Sequence, residues 1–337
     1  MRPAFRYLRA HQLTSPAPLE VFNRHVKFLQ KERAAKNINQ SRQVDYLKDE
    51  VATRLTDRLF DVKRDFPHVL DLGANSCNIA RALTLLPHSF KSREAADPLN
   101  FSKISHLTAA ELSRATLYRD VDLPFNKEIN LTREIIDYEK DLPYESHTFD
   151  AVLSSLSMHW INDLPFVLGQ INRVLKPDAP FLASMFGGDT LYELRTSLQL
   201  ADMERRGGVS PHVSPLADVK DIGSLLQRAG FKMLTVDFDD IIIDFPDTFS
   251  LMQDLQAMGE SNATLARELR AIRRDVLLAN EGIYRELYGN EDGSLPATFR
   301  MIYMIGWKEG PNQAPPLPRG SGNIDMAKAL SNVAKLK

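Results

Sequence analysis

Apolar and polar positions alternate with two different periods along the chain. Residues 43–62 place Val44, Leu47, Val51, Leu55 and Leu59 at three- and four-residue steps, which predicts an amphipathic helix that covers one side of a sheet. After Pro67, the run HVLDL predicts a short buried strand, residues 73–77 a turn, and IARALTLL a helix. Together they predict a first strand-loop-helix unit.

Similar apolar runs follow at intervals that suit further strands. We predict strands at residues 104–109, at 133–138, from Phe149 and from Ala179, with a helix over residues 164–175. Because strands alternate with helices, the sheet is expected to be mostly parallel.

The late chain departs from this alternation. KMLTVDFDDIIIDF predicts two short strands or one bent strand, residues 247–289 a helical segment, and TFRMIYMIGW a final strand beside the fifth or sixth. The expected organisation is a targeting segment at 1–20, an N-terminal helical region at 21–66, a core at 67–240, a helical insertion with the final strand at 241–309, and a Pro-rich flexible tail at 310–337.

Composition excludes several classes of protein. With 337 residues, 43% of them hydrophobic, the chain can build a substantial core. Its 42 Lys and Arg against 44 Asp and Glu give a net charge of −2, which argues against general nucleic-acid binding. Apolar runs fall short of the roughly 20 residues that span a bilayer, so any membrane association is expected to be peripheral. A single cysteine, Cys77, excludes an internal disulfide and a multi-cysteine zinc site.

The first residues have the composition of a mitochondrial targeting segment. Arg2, Arg6 and Arg9 are interspersed with apolar side chains, and no acidic residue precedes Glu20. The alternative is an ordinary basic terminus.

The loop after the first strand points to a nucleotide-type cleft. In open α/β sheets ligands bind beyond the carboxyl ends of the strands, where Asp71 and Gly73 are expected. This pattern predicts an α/β, Rossmann-like, seven-stranded class I methyltransferase sheet with S-adenosylmethionine as the cofactor expected from the fold. Asn75 and Cys77 stand where such enzymes usually carry glycine, although Asn75 tolerates a left-handed turn. The alternative is a structural turn that binds nothing.

Acidic residues follow the next two strands. Glu111 is the candidate for the ribose hydroxyls, because a carboxylate can accept two hydrogen bonds. Asp97 is its competitor, within an insertion expected at residues 87–103. Asp137 is the candidate acceptor for an adenine amino group.

The fourth and fifth strands are followed by polar and aromatic groups. Ser155, His159 and Trp160 gather at the expected cleft, where His159 could serve in acid–base chemistry. Asp189 or Thr190 is expected to cap the next helix, in a loop that closes over the cleft. His159, Trp160 and Asp189 are therefore the candidate catalytic residues, with packing roles as the alternative. Patterns typical of a metal site, a phosphate-binding loop or a serine-nucleophile elbow are lacking.

Longer segments carry a resemblance that extends from about residue 22 to 307. The chain resembles the mitochondrial complex I assembly factor 5 family, which is itself similar in fold to the biotin-pathway malonyl carrier-protein methyltransferase. Family members commonly have Gly-Cys-Gly-Arg-Gly where this chain has Gly-Ala-Asn-Ser-Cys at residues 73–77. The segments that carry the resemblance are FNRHVKFLQKERAA, VDYLKDEVATRLTDRLFDV, FDAVLSSLSMHWINDLP, MFGGDTLYELRTSLQLADMERRGGVSPHVSPLADVKDIGSLLQRAGF, DLQAMGESN and NEDGSLPATF.

The resemblance implies hydroxylation of an arginine on an immature complex I core subunit in the mitochondrial matrix, with a small twin-cysteine assembly factor as a partner. It leaves peripheral association with the inner membrane open. Two alternatives remain: an S-adenosylmethionine-dependent methyltransferase of a protein or a small-molecule acid, and a catalytically silent assembly chaperone.

Overall fold

The computed structural model describes residues 20–85, 103–268, 271–313 and 319. The predicted targeting segment, except its last residue, lies outside these ranges, as do Asp97 and most of the predicted tail. The helices in the described ranges are α1 (Arg24–Lys36), α2 (Ile38–Gln43), α3 (Tyr46–Asp61), α4 (Asn78–Leu85), α5 (Arg114–Leu117), α6 (Leu164–Val174), α7 (Tyr192–Arg206), α8 (Val219–Arg228), α9 (Thr248–Ala257) and α10 (Arg274–Tyr288).

Within these ranges the strands form one seven-stranded sheet in the order β3-β2-β1-β4-β5-β7-β6. The strands β1 to β5 are parallel, and β7 is antiparallel to both of its neighbours. The predicted sheet and the entry of the final strand beside the fifth and sixth are therefore confirmed. The strands are β1 (His68–Leu72), β2 (His106–Glu111), β3 (Leu131–Ile135), β4 (Ala151–Ser155), β5 (Pro180–Phe186), β6 (Phe231–Phe245) and β7 (Leu295–Lys308).

The central strands are apolar because helices cover both of their faces. Every residue of β4 and β5 is buried, as expected for parallel strands in the middle of a doubly wound sheet. The predicted helix over 43–62 appears as α3, preceded by the short α2, and it buries Leu47, Val51, Leu55 and Leu59 in the same core as the sheet. A second hydrophobic core contains the buried face of α6. This helix is capped at its N-terminus by the Asp163 side chain, which accepts a hydrogen bond from the Phe166 N–H.

Two late elements differ from the sequence prediction. The segment predicted as two strands or one bent strand is one strand, β6, whose register shifts between Lys232 and Thr235. The core boundary expected at residue 240 falls inside that strand. The helix predicted over 247–289 is interrupted: α9 ends at Ala257, and α10 begins at Arg274.

The break between α9 and α10 has a physical cause in its contacts. Gly259 has a φ of +77°, and a side-chain carbon added there would lie 3.5 Å from the Lys31 backbone in α1. The chain must turn sharply at this point to pass close to α1. No helix in the described part of the chain is long and apolar enough to cross a membrane.

Candidate functional site

The loop that follows β1 is a tight turn that packs closely against Ser157. Gly73, Asn75 and Cys77 have φ values of 74°, 49° and 61°, so the left-handed backbone predicted for Asn75 is present. A side-chain carbon on Gly73 would lie 2.0 Å from the Ser157 hydroxyl oxygen. Gly73 is therefore needed for close packing against Ser157 as well as for its backbone conformation.

Asp71 lies beneath this loop and is fully buried. Neither of its carboxylate oxygens has a hydrogen-bond partner in the described ranges. Burial, and then the nearby Glu111 carboxylate, raise the pKa of Asp71 well above its usual value. Burial therefore favours the neutral form of this carboxyl group.

The Glu111 carboxylate lies at the end of β2, as the sequence predicts, but the chain itself satisfies it. Its Oε2 atom is 3.1 Å from Nζ of Lys31 in α1 and accepts from the Asn75 N–H at 3.3 Å. Its Oε1 atom accepts from the N–H groups of Leu112 and Ser113 at 2.9 and 3.3 Å. Because Glu111 is fully buried, these contacts leave it little capacity to bind a ribose.

Asp137 follows β3 and is also paired with α1. Arg24 contacts both Asp137 and Glu139, with its Nε atom 2.7 Å from the Glu139 carboxylate. Ser155, the last predicted cofactor contact, is buried, and its carbonyl accepts from the Asn75 side-chain amide at 2.9 Å. The predicted cofactor residues therefore lie together. Helix α1 and the chain's own loops engage Glu111, Asp137 and Ser155, whereas the carboxylate oxygens of Asp71 have no hydrogen-bond partner among the described residues.

The space left at this end of the cleft is about 30 Å³, bordered by Lys31, Glu111, Tyr138 and Trp160. Ligand pockets usually measure about 300–1,000 Å³. With Gly73 packed on Ser157 and Glu111 paired with Lys31, the residues in this arrangement do not fit S-adenosylmethionine.

A larger cavity, of about 290 Å³, lies on the other side of Trp160. We call it the His159 cavity. Its apolar walls come from β5, α7, α9 and β7, and His212, Arg267 and Glu268 add polar groups. The predicted catalytic residues His159 and Trp160 line it, together with Phe186, Thr190, Leu191, Leu194, Leu198, Pro211, Val213, Ser214, Leu216, Met252, Leu255, Gln256, Glu260, Ser261, Asn262, Ala271, Ile272 and Phe299.

Asp189 is separated from this pair. It is exposed and forms an ion pair with Arg300. The capping prediction for Asp189 and Thr190 is wrong: the residue before α7 is Leu191, in a left-handed conformation and without a side-chain cap. Thr190 is instead engaged by β7, accepting from the Arg300 N–H at 3.1 Å and donating to its carbonyl at 3.0 Å. The loop still borders the cavity, through Thr190 and Leu191.

Glu260 joins the two aromatic residues of the His159 cavity. Its Oε2 atom accepts from the Trp160 indole N–H at 2.6 Å and lies 3.3 Å from Nε2 of His159. Its Oε1 atom is 3.7 Å from Nζ of Lys48 and has no hydrogen-bond partner in the described part of the chain. Burial alone would raise the pKa of Glu260, but His159, Lys27 and Lys48 outweigh it and lower that pKa below its usual value. Glu260 is therefore a buried, ionised carboxylate.

Burial favours the neutral form of the His159 ring. Burial lowers its pKa below the usual value, and the Glu260 carboxylate offsets this only in part. Because a carboxylate accepts hydrogen bonds, the proton is assigned to Nε2, which leaves Nδ1 as an acceptor. Among the described residues, Nδ1 has no partner. Two residues that line the cavity thus each have one acceptor atom without a hydrogen-bond partner in the described ranges, Nδ1 of His159 and Oε1 of Glu260.

Sequence reasoning missed Glu260 and the lysines that support it. Lys27 donates to the carbonyls of Gly259 and Ser261 at 3.0 and 2.9 Å, and Lys48 donates to the Met258 carbonyl at 2.8 Å. The available signal was the four-residue spacing of Lys27 and Lys31, which places both on one face of α1.

Comparisons with known proteins agree with this fold. A family model described as a methyltransferase domain matches residues 42–236. The chain is 47% identical to the mitochondrial arginine-hydroxylase NDUFAF5 of Danio rerio, over 95% of this chain and 92% of the relative. It is 45% identical to the Homo sapiens protein of the same name, over 93% of this chain and 84% of the relative. It is 30% identical to a malonyl-acyl-carrier-protein O-methyltransferase of Halorhodospira halophila, over 80% of this chain and 83% of the relative.

Proposed function

This chain belongs to the family of mitochondrial NDUFAF5 arginine hydroxylases, and we propose that it hydroxylates an arginine side chain on an immature core subunit of complex I during assembly. The reaction converts a C–H bond to C–OH, so it requires dioxygen as the oxygen donor and an external reductant that supplies two electrons, with water as the second product. It carries the methyltransferase domain as its scaffold. The single observation that carries the assignment of the site is the buried, ionised Glu260 in the wall of the His159 cavity.

Glu260 and His159 suit a guanidinium group. Arginine offers five N–H donors and no acceptor, and it pairs with carboxylates through parallel hydrogen bonds. Glu260 Oε1 and His159 Nδ1 are acceptors without hydrogen-bond partners in the described ranges, and both residues line the cavity. An incoming guanidinium would supply the donors that both atoms lack.

The cavity walls suit the rest of an arginine side chain. Phe186, Leu194 and Phe299 are buried residues that line the cavity, and they would contact the aliphatic stem. We assign His159, Trp160 and Glu260 to binding and orienting this side chain. The described residues include no group of three or more His, Cys, Asp or Glu that could hold a metal ion.

We propose that the protein acts in the mitochondrial matrix. Its relatives are named as mitochondrial proteins, and the arginines at positions 2, 6 and 9 suit a targeting segment. A small twin-cysteine assembly factor as a partner, and peripheral contact with the inner membrane, belong to the same proposal.

Intact-peptide mass spectrometry of the presumed complex I core subunit tests the function. In cells that contain the protein, one arginine is expected to carry the mass of one additional oxygen atom, and deletion of the gene should remove it. A gene-dependent methyl increment would support a methyltransferase instead. An arginine whose state does not depend on the gene would support a silent chaperone, so either result would overturn the proposal.

A further inference from the structure

Helix α1 presents three basic side chains to the cleft in which a nucleoside cofactor was expected. Arg24, Lys27 and Lys31 form what we call the cationic face of α1. Lys27 and Lys31 are only 6% exposed, although a buried ammonium group is costly unless it is paired and hydrogen-bonded. The partners of these lysines therefore show what the face is built to contact.

Lys31 pairs with Glu111, the carboxylate that the sequence predicts to bind the ribose hydroxyls. Its Nζ atom lies 3.1 Å from Glu111 Oε2, and the two side chains are 7% and 0% exposed. Arg24 reaches the neighbouring Asp137, the acid predicted to meet the adenine. Two side chains of one helix thus pair with the acids that the sequence assigns to the ribose and to the adenine.

Further hydrogen bonds join α1 to the chain after β2. Oε1 of Glu32 accepts from the Ser113 hydroxyl at 2.8 Å and from the Ala115 N–H at 3.1 Å, at the start of α5. The Thr116 hydroxyl donates to the Lys31 carbonyl at 3.4 Å. Specific hydrogen bonds therefore hold α1 on the loop that follows β2.

The cationic face also reaches the His159 cavity. The Nζ atom of Lys27 lies 3.3 Å from the centre of the Trp160 ring and donates to the carbonyls of Gly259 and Ser261, on either side of Glu260. Gln30 donates to the Asn262 carbonyl at 3.1 Å. Helix α1 thus contacts both the nucleoside end of the cleft and, through Lys27 and Gln30, the loop that presents Glu260.

We propose that α1 is the permanent occupant of the nucleoside end of the cleft, with Lys31 in place of the ribose hydroxyls at Glu111, and that Lys27 is a positioning residue for Glu260. The protein then works without S-adenosylmethionine, and Glu111 and Asp137 serve as anchors for a helix. The role given to Glu260 rests on the proposed function, whereas the occupancy of the cleft does not.

Two measurements on the full-length protein test the occupancy: calorimetry with S-adenosylmethionine and its demethylated product, and hydrogen exchange of α1. We expect no binding heat, and α1 amides equally protected with and without saturating ligand. In Glu111→Gln, protection of residues 24–36 should fall at least about tenfold, because Lys31 loses its charged partner. Glu50→Gln is the matched control, because Glu50 is half-exposed and forms a surface pair with Arg54.

Other outcomes would overturn the proposal. If the wild-type protein binds the ligand, or if ligand lowers protection of α1, the helix is a displaceable cover and the cleft is a cofactor site. If Glu111→Gln leaves α1 protected as in Glu50→Gln, Lys31 does not depend on Glu111. None of these readouts measures hydroxylation of a substrate arginine, so a failure here is distinct from a failure of the hydroxylase proposal.

The role of Lys27 needs its own readout. In Lys27→Met, we expect exchange in residues 258–262 to rise and the fraction of hydroxylated arginine to fall, with partial rescue in Lys27→Arg, which keeps hydrogen-bond donors for the carbonyls of Gly259 and Ser261. If exchange in that loop is unchanged, Lys27 does not position Glu260.

Discussion

The Lys31–Glu111 pair permits a quantitative prediction. Removing one partner of a buried ion pair costs about 3–5 kcal/mol, since the other charge stays buried and unpaired. In Lys31→Met, Glu111 keeps the N–H groups of Asn75, Leu112 and Ser113, so we expect the lower value, about 3 kcal/mol. Glu111→Gln should cost a similar amount. The double variant, which buries no charge here, should return to within about 1 kcal/mol of the wild type.

A double-mutant cycle on the free energy of unfolding, measured by urea titration, checks this prediction. The coupling between the two substitutions should be large, whereas the half-exposed Glu50→Gln control should change stability by less than about 0.5 kcal/mol. Single substitutions that each cost under about 1 kcal/mol and simply add in the double variant would refute the argument that α1 is held by a buried pair.

Three further predictions concern the His159 cavity and the loop after β1. Glu260→Gln should lower the hydroxylated fraction of the substrate arginine at least about tenfold, because an amide lacks the charge that pairs with a guanidinium; an unchanged fraction would contradict this. Burial lowers the folded-state pKa of His159, so the unfolded chain takes up its proton first as pH falls. The wild type should therefore lose stability relative to His159→Asn as pH falls below about 6.5. Urea unfolding midpoints of both proteins between about pH 5 and 8 test this, and a difference in midpoint that stays constant with pH would refute it. Gly73→Ala should cost about 1–3 kcal/mol through its positive φ and overlap with Ser157, and adding Ser157→Gly should recover only the overlap part in thermal unfolding.

The elements that the sequence predicts well are those with a strong period or a continuous apolar run. The strand HVLDL and the helix at 164–175 are examples, because burial in a doubly wound sheet dictates their composition. The position of Glu111 at the end of β2 follows from the same pattern. Its partner does not, because Lys31 lies 80 residues earlier in the chain, in a helix whose many charges suggest a solvated surface.

Glu260 escaped prediction for a related reason. Residues 247–289 have helical composition, and the break that exposes Glu260 to the cavity lies where Lys27 and Lys48 bind the carbonyls of residues 258, 259 and 261. Contacts between distant parts of the chain override local propensity there. The ion pair of Asp189 with Arg300 on β7 could not be foreseen either, because the two residues lie 111 positions apart in the chain.

The central claim, arginine hydroxylation in the His159 cavity, is tested most directly in cells that lack the endogenous gene. Separate cultures receive the wild type, Glu260→Gln or neither, and intact-peptide mass spectrometry then compares the arginine of the presumed complex I core subunit. The account predicts a one-oxygen increment with the wild type, none without the protein, and a strongly reduced fraction with Glu260→Gln at equal protein level. A methyl increment, or an oxygen increment that persists without the protein, would contradict it.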